Sequence, residues 1–305
     1  MDEKMWTKSI QTIKNQLSCI RAIQVAVDGD DELLFLLNTE QICNWLETHI
    51  CKKTKKPLSH ASLKTYYASI KSTIKNLNDD RFVGALEEYN KKFIFYNDLV
   101  RAETPEQTLT KKEEKKWICW SCVLYARSLL EDAYKSNPCL KTYQEYLLLC
   151  LYSYLPPTRL DYSPMKVVTT IPTSTDVNYC MLTSKGATFI INQYKTARTY
   201  GQLIYDAPEE LHNVLKDYNL YNSSGWLFSQ SVDKTLPLTS HELGKMITKL
   251  FTKHLNVGAT LNIIRHAYAT HIHAGEPSLA SKKATAKIMG HSLEMSELYR
   301  RINAE

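Results

Sequence analysis

The chain has 305 residues, of which 44% are hydrophobic and 23% are charged, and its formal net charge is +6. This balance is typical of a soluble globular protein with one large or two ordinary domains, and it excludes a largely disordered chain. No apolar stretch reaches the roughly 20 residues of a membrane-spanning helix, and the charged first ten residues lack the apolar segment of a secretory signal. We therefore expect an intracellular protein with no membrane partner.

The basic excess lies mainly in the second part of the chain. Residues 1–100 carry 14 Lys and Arg against 13 Asp and Glu, whereas residues 101–305 carry 24 against 19. An excess of this size favours a polyanionic partner without establishing one.

Apolar residues recur at helical spacing through the first hundred residues. The clearest pattern runs through Leu63, Tyr67 and Ile70, and either Ser59 or Ser62 can cap the helix. Similar patterns occupy residues 6–20, 42–50 and 82–93. Four short amphipathic helices of this kind predict a helical N-terminal domain over residues 1–103.

A lysine-rich loop, "KKTKKPLSH", leads into the third of these predicted helices. Its lysines belong either to a solvated loop and helix surface or to an edge that follows a nucleic-acid backbone. In the second interpretation, lysine charges and the helix N-terminus both face phosphate groups. The candidate DNA-binding residues are Lys52, Lys53, Lys55, Lys56, Lys64 and Lys71.

A second domain is predicted over residues 104–305. Residues 101–116 lack apolar periodicity and indicate a linker, which ends in a capping-box signature at Thr110–Glu113. Helical patterns return at residues 116–134 and 140–154, and β-like runs follow at 178–184, 187–194 and 201–208. The expected fold is therefore mainly α, with a small antiparallel sheet in a mixed α/β second domain whose last seventy residues are again helical.

The cysteines and histidines do not indicate a metal site. The eight cysteines form no pairing framework, which fits a reducing compartment. Cys119 and Cys122 have CxxC spacing, but no second pair stands at zinc-finger spacing, and their apolar surroundings favour buried thiols. His271 and His273 point in different directions on a predicted helix. We expect no metal and no cofactor.

Two arginines stand where apolar side chains are expected. Arg265 follows Ile263 and Ile264 inside a predicted amphipathic helix, and Arg159 follows a double proline that ends an apolar helix. A buried arginine is usually paired or in contact with an anion. One interpretation is structural, with Arg159 and Asp161 forming a buried ion pair.

Four segments, "PPTRLDY", "QYKTARTYG", "IIRHAYATH" and "MGHSLEMSELY", together resemble the tyrosine recombinase (phage-integrase-like) family. In particular, they resemble members from eukaryotic mobile elements and from large DNA viruses or their satellites. The motifs span roughly residues 107–305 in the family's order, whereas the first hundred residues are similar only in helical character. The resemblance implies these roles: Arg159 and Arg265 as the paired catalytic arginines, Lys195 as the catalytic lysine, His291 as the third-motif histidine, Tyr299 as the nucleophile and His266 as a structural residue.

The implied activity is site-specific DNA recombination through a covalent 3′-phosphotyrosine, without ATP or metal. Two guanidinium groups suit the charge that develops on a phosphodiester, and a lysine can protonate the departing 5′ oxygen. The implied partner is double-stranded DNA with specific recombination sites, held between two domains and bound by a homotetramer. Integration or excision of a viral or mobile genome would take place in a host nucleus or a cytoplasmic viral factory, or the enzyme would be packaged in a virion.

Three features depart from the family pattern. Asn262 stands where the family usually has His or Lys; it can hydrogen-bond a phosphate oxygen but cannot move a proton, so His291 or water would act as the base. The spacing from His291 to Tyr299 is about one residue short, which leaves Tyr268 as a rival nucleophile. Only six residues follow Tyr299. The alternative functions are a type IB topoisomerase-like or hairpin-resolvase activity and a catalytically inactive DNA-binding protein.

Overall fold

The computed structural model describes residues 10–30, 32–51, 54–103 and 107–302. The chain divides into two compact units, Met1–Pro105 and Glu106–Glu305. Helices predominate in both, so the predicted class, mainly α with a small sheet, is confirmed. None of the described helices is both long and apolar enough to span a membrane.

The first unit is a bundle of amphipathic helices, as its apolar periodicity predicts. In its described part the helices are α1 (Ile10–Val27), α2 (Thr39–Thr48), α3 (His60–Leu77) and α4 (Val83–Glu103), with 3₁₀ turns at Leu34–Leu37 and Asp80–Phe82. Helix α3 buries Leu63, Tyr67 and Ile70 on one face. Of the two serines that could cap it, Ser59 does so by accepting a hydrogen bond from the backbone N–H of Ser62.

The second unit is built around a helix whose C-terminal part is completely buried. Its described helices are α5 (Lys111–Glu114), α6 (Trp120–Ser136), α7 (Leu140–Tyr154), α8 (Ala197–Tyr200), α9 (Glu209–Tyr221), α10 (Ser240–Leu255), α11 (Leu261–Ala274), α12 (Leu279–Ile288) and α13 (Leu293–Tyr299). Residues 147–152 of α7 are completely buried. A helical segment that is apolar all round is buried on all sides, so this part of α7 forms the centre of the core. The double proline Pro156–Pro157 then ends it and turns the chain toward Arg159.

The sheet is mixed and not purely antiparallel. The predicted runs form β2 (Asn178–Leu182), β3 (Ala187–Ile191) and β4 (Leu203–Asp206), which pair antiparallel in that order. A fourth strand, β1 (Met165–Val168), was not predicted and pairs parallel to β2. Trp226, outside these strands, forms an isolated antiparallel bridge with Lys166 of β1. The prediction of an antiparallel sheet was therefore correct for β2, β3 and β4 and wrong for β1, which no hairpin turn joins to its partner because the two strands are parallel.

Two local features at the start of the second unit had been predicted, with different outcomes. Thr110 and Glu113 form the predicted capping box at the N-terminus of α5. The prediction that both CxxC thiols are buried was wrong, because Cys119 is exposed and Cys122 is half-buried. Their Sγ atoms lie 2.8 Å apart. Cys119 is the N-cap of α6 and so lies outside the buried face of that helix.

Candidate active site

Arg265 is buried in the middle of α11, and its side chain makes two hydrogen bonds to backbone carbonyls. It is only 2% exposed. Nη1 donates to the Pro157 carbonyl at 2.6 Å and Nη2 to the Met289 carbonyl at 3.3 Å, while Nε has no partner in the described structure. Burial lowers the pKa of Arg265, and contact with Tyr299 opposes that shift. Since both acceptors are neutral, the buried charge has the character of an anion-binding group.

Arg159 lies beyond the end of α7 and is partly exposed. Its Nη1 donates to the Gly290 carbonyl at 3.3 Å. The Asp161 carboxylate accepts the backbone N–H of Arg159 at 3.1 Å, and these two side chains form no ion pair. The structural alternative of a buried Arg159–Asp161 pair is therefore wrong. Burial raises the pKa of Asp161 to about 6, although the hydrogen bond from the Arg159 backbone lowers it.

Gly290 joins the segment of Lys195 to the surroundings of Arg159. Its carbonyl accepts from Thr196 Oγ1 at 2.7 Å as well as from Arg159. Gly290 has φ of +67°, and a Cβ there would lie 3.3 Å from the Tyr194 ring, so glycine suits this close approach. Lys195 lies between β3 and β4, next to these contacts, and its side chain is exposed.

The ring of Tyr299, at the end of α13, stacks on two imidazoles. Its centroid lies 4.6 Å from that of His266 and 5.2 Å from that of His291, with interplanar angles of 27° and 15°. The Arg265 guanidinium carbon lies 5.0 Å from the same centroid. Arg265 and His291, two residues of the predicted set, therefore both pack against a third, Tyr299. Tyr268, by contrast, packs edge-on against Trp120 at 4.9 Å.

Hydrogen bonds determine the tautomers of both histidines. Nδ1 of His291 lies 3.1 Å from the Ser292 carbonyl, and Nδ1 of His266 lies 2.8 Å from the Tyr299 carbonyl. Since a carbonyl can only accept, each Nδ1 carries the proton. Burial lowers the pKa of both histidines to about 4, so both are neutral at pH 7. In His291 this leaves Nε2 as an acceptor, and it has no partner in the described structure.

A cavity of about 370 Å³ opens at this cluster. It is lined by Arg159, Leu160, Asp161, Ser240, Leu261, Asn262, Arg265 and Tyr299. Asn262 is exposed, and its Nδ2 lies 3.0 Å from His266 Nε2. Lys195 is not among the lining residues. A larger depression of about 1000 Å³ between the β1–β2 region and α9 contains none of the predicted site residues.

A lysine stripe on α10 borders this cavity and was missed in the sequence. Lys245, Lys249 and Lys253 are exposed and stand four residues apart, so they share one helix face. They line a depression of about 630 Å³ that shares Leu160 and Ser240 with the Arg159–Tyr299 cavity. The sequence contains a pattern that could have predicted this stripe, because the three lysines lie opposite the apolar face of an amphipathic helix. Glu113 and Arg301, which contact His266, were also missed, since no local pattern joins them.

The predicted DNA-binding residues of the first unit have varied surroundings. Lys52 and Lys53 lie outside the described residues. Lys55 and Lys56 are exposed, and Lys64 is half-buried on α3. The ammonium of Lys71 lies 4.0 Å from the centroid of the Phe93 ring, which gives this lysine a packing partner within its own unit.

The two histidines near the end of α11 have separate partners. His271 stacks on Trp120 with centroids 6.1 Å apart, and Nδ1 of His273 lies 3.4 Å from a Glu297 carboxylate oxygen. In the part of the chain that the structure describes, no group of three or more His, Cys, Asp or Glu residues could hold a metal ion.

Comparison with known proteins gives similarity of structure alone. No protein-family model and no curated protein matches the sequence. Among solved structures, a crystal structure of XerA recombinase is 16% identical, with 97% of this chain and 89% of that chain covered and a TM-score of 0.40. A structure of the Tn1549 transposon integrase with transposon right end DNA is 15% identical, with 92% and 93% covered and a TM-score of 0.42. The resemblance to eukaryotic or viral members of a family stays a prediction.

Proposed function

We propose that this protein breaks and rejoins DNA strands through a covalent bond between Tyr299 and a 3′ phosphate. The observation that carries the proposal is the placement of Tyr299. Its ring stacks on two histidines, and Tyr299 lines the same cavity as Arg159 and Arg265. A nucleophile must be held in place beside groups that stabilise the charge it creates, and this arrangement supplies both.

The two arginines suit a phosphodiester in the cavity. A phosphodiester carries one negative charge, and more charge collects on its non-bridging oxygens during transfer. Guanidinium groups keep their charge and offer paired N–H donors to such oxygens. Arg265 has Nε unpartnered in the described structure and Arg159 is partly exposed, so both retain donors for an anion.

The proposed transfer needs one base and one acid. A tyrosine hydroxyl is a weak nucleophile until its proton is removed. Because Nδ1 of His291 donates to a carbonyl, its Nε2 lone pair is available as the base, which compensates for Asn262. The Tyr299 oxygen then bonds to phosphorus and the 5′ oxygen leaves, taking a proton from Lys195. The reverse reaction on another 5′ hydroxyl rejoins the strand, and the phosphotyrosine conserves the energy of the broken bond.

The proposed substrate is duplex DNA that carries specific sites. The exposed lysines of α10 lie beside the cavity, where the backbone on either side of a bound phosphate would run. Lys55, Lys56 and Lys64 of the first unit are further candidates for phosphate contacts. Exchange between two duplexes by a tetramer, with integration or excision of a mobile or viral genome, is the biological role that the sequence motifs favour.

A suicide substrate tests this proposal. Nicked duplexes that tile the DNA on either side of the gene are incubated with the protein, and covalent adducts are sought by denaturing electrophoresis and peptide mass. Wild type and the control Tyr268→Phe should form an adduct at Tyr299, and Tyr299→Phe should form none. An adduct in Tyr299→Phe would show that another residue is the nucleophile. Relaxation of supercoiled DNA without recombinant products would identify the topoisomerase-like alternative.

A further inference from the structure

The chain that follows Tyr299 is fastened to two other parts of the second unit by Arg301. Its backbone N–H donates to Thr270 Oγ1 of α11 at 2.9 Å, and its Nη1 donates to the Leu298 carbonyl at 2.9 Å. Nη2 lies 3.2 Å from Glu113 Oε1 and 3.0 Å from His266 Nε2. One guanidinium therefore covers the C-terminus of α13 and reaches both α5 and α11.

The Arg301 contact favours the same tautomer of His266 as the hydrogen bond to the Tyr299 carbonyl does. A guanidinium can only donate hydrogen bonds, so Nε2 of His266 must be the acceptor and Nδ1 must carry the hydrogen. That Nδ1–H is the donor to the Tyr299 carbonyl at 2.8 Å. The Asn262 amide donates to the same Nε2, so Asn262 supports this tautomer as well.

Glu113 holds Arg301 in place. The two side chains are 18% and 10% exposed, so their ion pair is shielded from water more than most surface pairs. Glu113 is itself fixed, because it is the N3 residue of the Thr110 capping box. Despite its burial, the hydrogen bond from Thr110 and the charge of Arg301 keep the pKa of Glu113 below its ordinary value.

We propose that Arg301 and Glu113 are positioning residues for Tyr299, acting through the tautomer of His266. Arg301 presents a donor to Nε2, Nδ1–H of His266 then holds the Tyr299 carbonyl, and the imidazole packs against one face of the Tyr299 ring. Neither Arg301 nor Glu113 lines the cavity of the candidate site. This inference rests on the proposed function of Tyr299 as the nucleophile.

The first experiment does not depend on catalysis. Side-chain ¹⁵N NMR of histidine-labelled protein, with His266 assigned by His266→Gln, should show the Nδ1–H tautomer in wild type at pH 7. Arg301→Gln should lose that single tautomer, whereas Arg300→Gln removes an adjacent charge and should keep it. If His266 in Arg301→Gln has the same tautomer and the same titration as in wild type, the proposal is overturned.

The second experiment measures the rate of adduct formation on the suicide substrate. Since a misplacement of about 1 Å can cost roughly a hundredfold in rate, we expect Arg301→Gln to be about ten- to a hundredfold slower, with DNA affinity changed less than about twofold. Arg301→Lys, which restores a donor and a charge, should recover part of the rate. An unchanged rate, or an equal loss in Arg300→Gln, would overturn the proposal, whereas no adduct in wild type would overturn the proposed function itself.

A pH profile and a milder variant distinguish positioning from simple loss of folding. The charged groups that face His266 are Arg265 on α11, Glu113 at α5 and Arg301 after α13; both arginines lower its pKa and Glu113 raises it. Arg301→Gln should therefore lose activity at a higher pH than wild type as the solution is acidified. Glu113→Gln keeps the capping box but not the charge, and should slow adduct formation several-fold, with Glu114→Gln as the unaffected control. If Arg301→Gln and wild type lose activity at the same pH on acidification, the proposal is overturned.

Discussion

At the scale of single residues, burial raises the pKa of Asp161 and lowers the pKa values of His266 and His291, and the sequence did not reveal these shifts. Arg265 was predicted to be buried from its apolar neighbours, and it is. Its contact with Tyr299, however, joins residues on two helices. One interpretation paired Asp161 with the Arg159 side chain, but the Asp161 carboxylate accepts the backbone N–H of Arg159 instead. Side-chain partners of this kind depend on rotamers and on neighbours that no local pattern encodes.

Asp161 should make the stability of the second unit depend on pH. Its pKa rises from an ordinary 3.8 to about 6 on burial. Because its pKa is raised in the folded state, the contribution of Asp161 to the free energy of unfolding is fully present below pH 4 and is lost as the pH rises through 6. Asp161→Asn, which keeps an acceptor for the Arg159 N–H, should therefore gain stability over wild type on the order of 2 kcal/mol at pH 7.5, and far less at pH 4. Urea unfolding at both pH values measures this, with exposed Asp132→Asn as control; an equal difference at the two pH values would contradict it.

At the scale of elements, helices were predicted well because their 3.6-residue period repeats several times within one segment. The start of α3 at Ser59 and the capping box of α5 were read from a few adjacent residues. Strand β1 was missed, since it pairs parallel to β2 and no hairpin turn joins the two strands, so no local turn pattern marks the pair. The lysine stripe of α10 was visible as an amphipathic pattern, but only the fold places it beside the cavity.

The α10 stripe should contribute phosphate contacts if DNA lies over the cavity. Replacing Lys245, Lys249 and Lys253 together by Gln should weaken DNA binding and reduce the slope of log K against log salt. Each lost phosphate contact removes about 0.9 from that slope for duplex DNA, so a reduction of roughly 2–3 is expected. Fluorescence anisotropy at several salt concentrations measures both quantities. Lys216→Gln on α9 provides a control, and an unchanged slope in the triple variant would place the DNA elsewhere.

At the scale of the whole molecule, the buried histidines should dominate the acid sensitivity of folding. The pKa values of His266 and His291 fall from 6.5 to about 4. Because their pKa values are lowered in the folded state, the contribution of both histidines to the free energy of unfolding is fully present above pH 6.5 and is lost as the pH falls through 4. Asp161 acts in the opposite direction, but it is one group against two. We therefore expect net destabilisation between pH 7 and pH 4.5.

His291→Gln tests this balance, because an amide does not take up a proton in this range. The unfolding midpoint in urea should decrease less between pH 7 and pH 4.5 in His291→Gln than in wild type, by an amount on the order of 2 kcal/mol in free energy. His241→Gln, an exposed site on α10, should follow the wild-type dependence. A parallel decrease in wild type and His291→Gln would show that this histidine does not couple to folding.

The sequence by itself determined where most helices form, which residues make the core and which residue types could carry phosphoryl chemistry, because these depend on composition and on patterns repeated within one segment. Only the tertiary structure decided how those residues meet. Glu113 and Arg301 are 188 residues apart in the chain, and Tyr299 reaches His266 across 33. Such contacts arise when α5, α11 and α13 pack together, and no local period encodes that packing. For the same reason, the buried site that holds His266 neutral exists only in the folded chain.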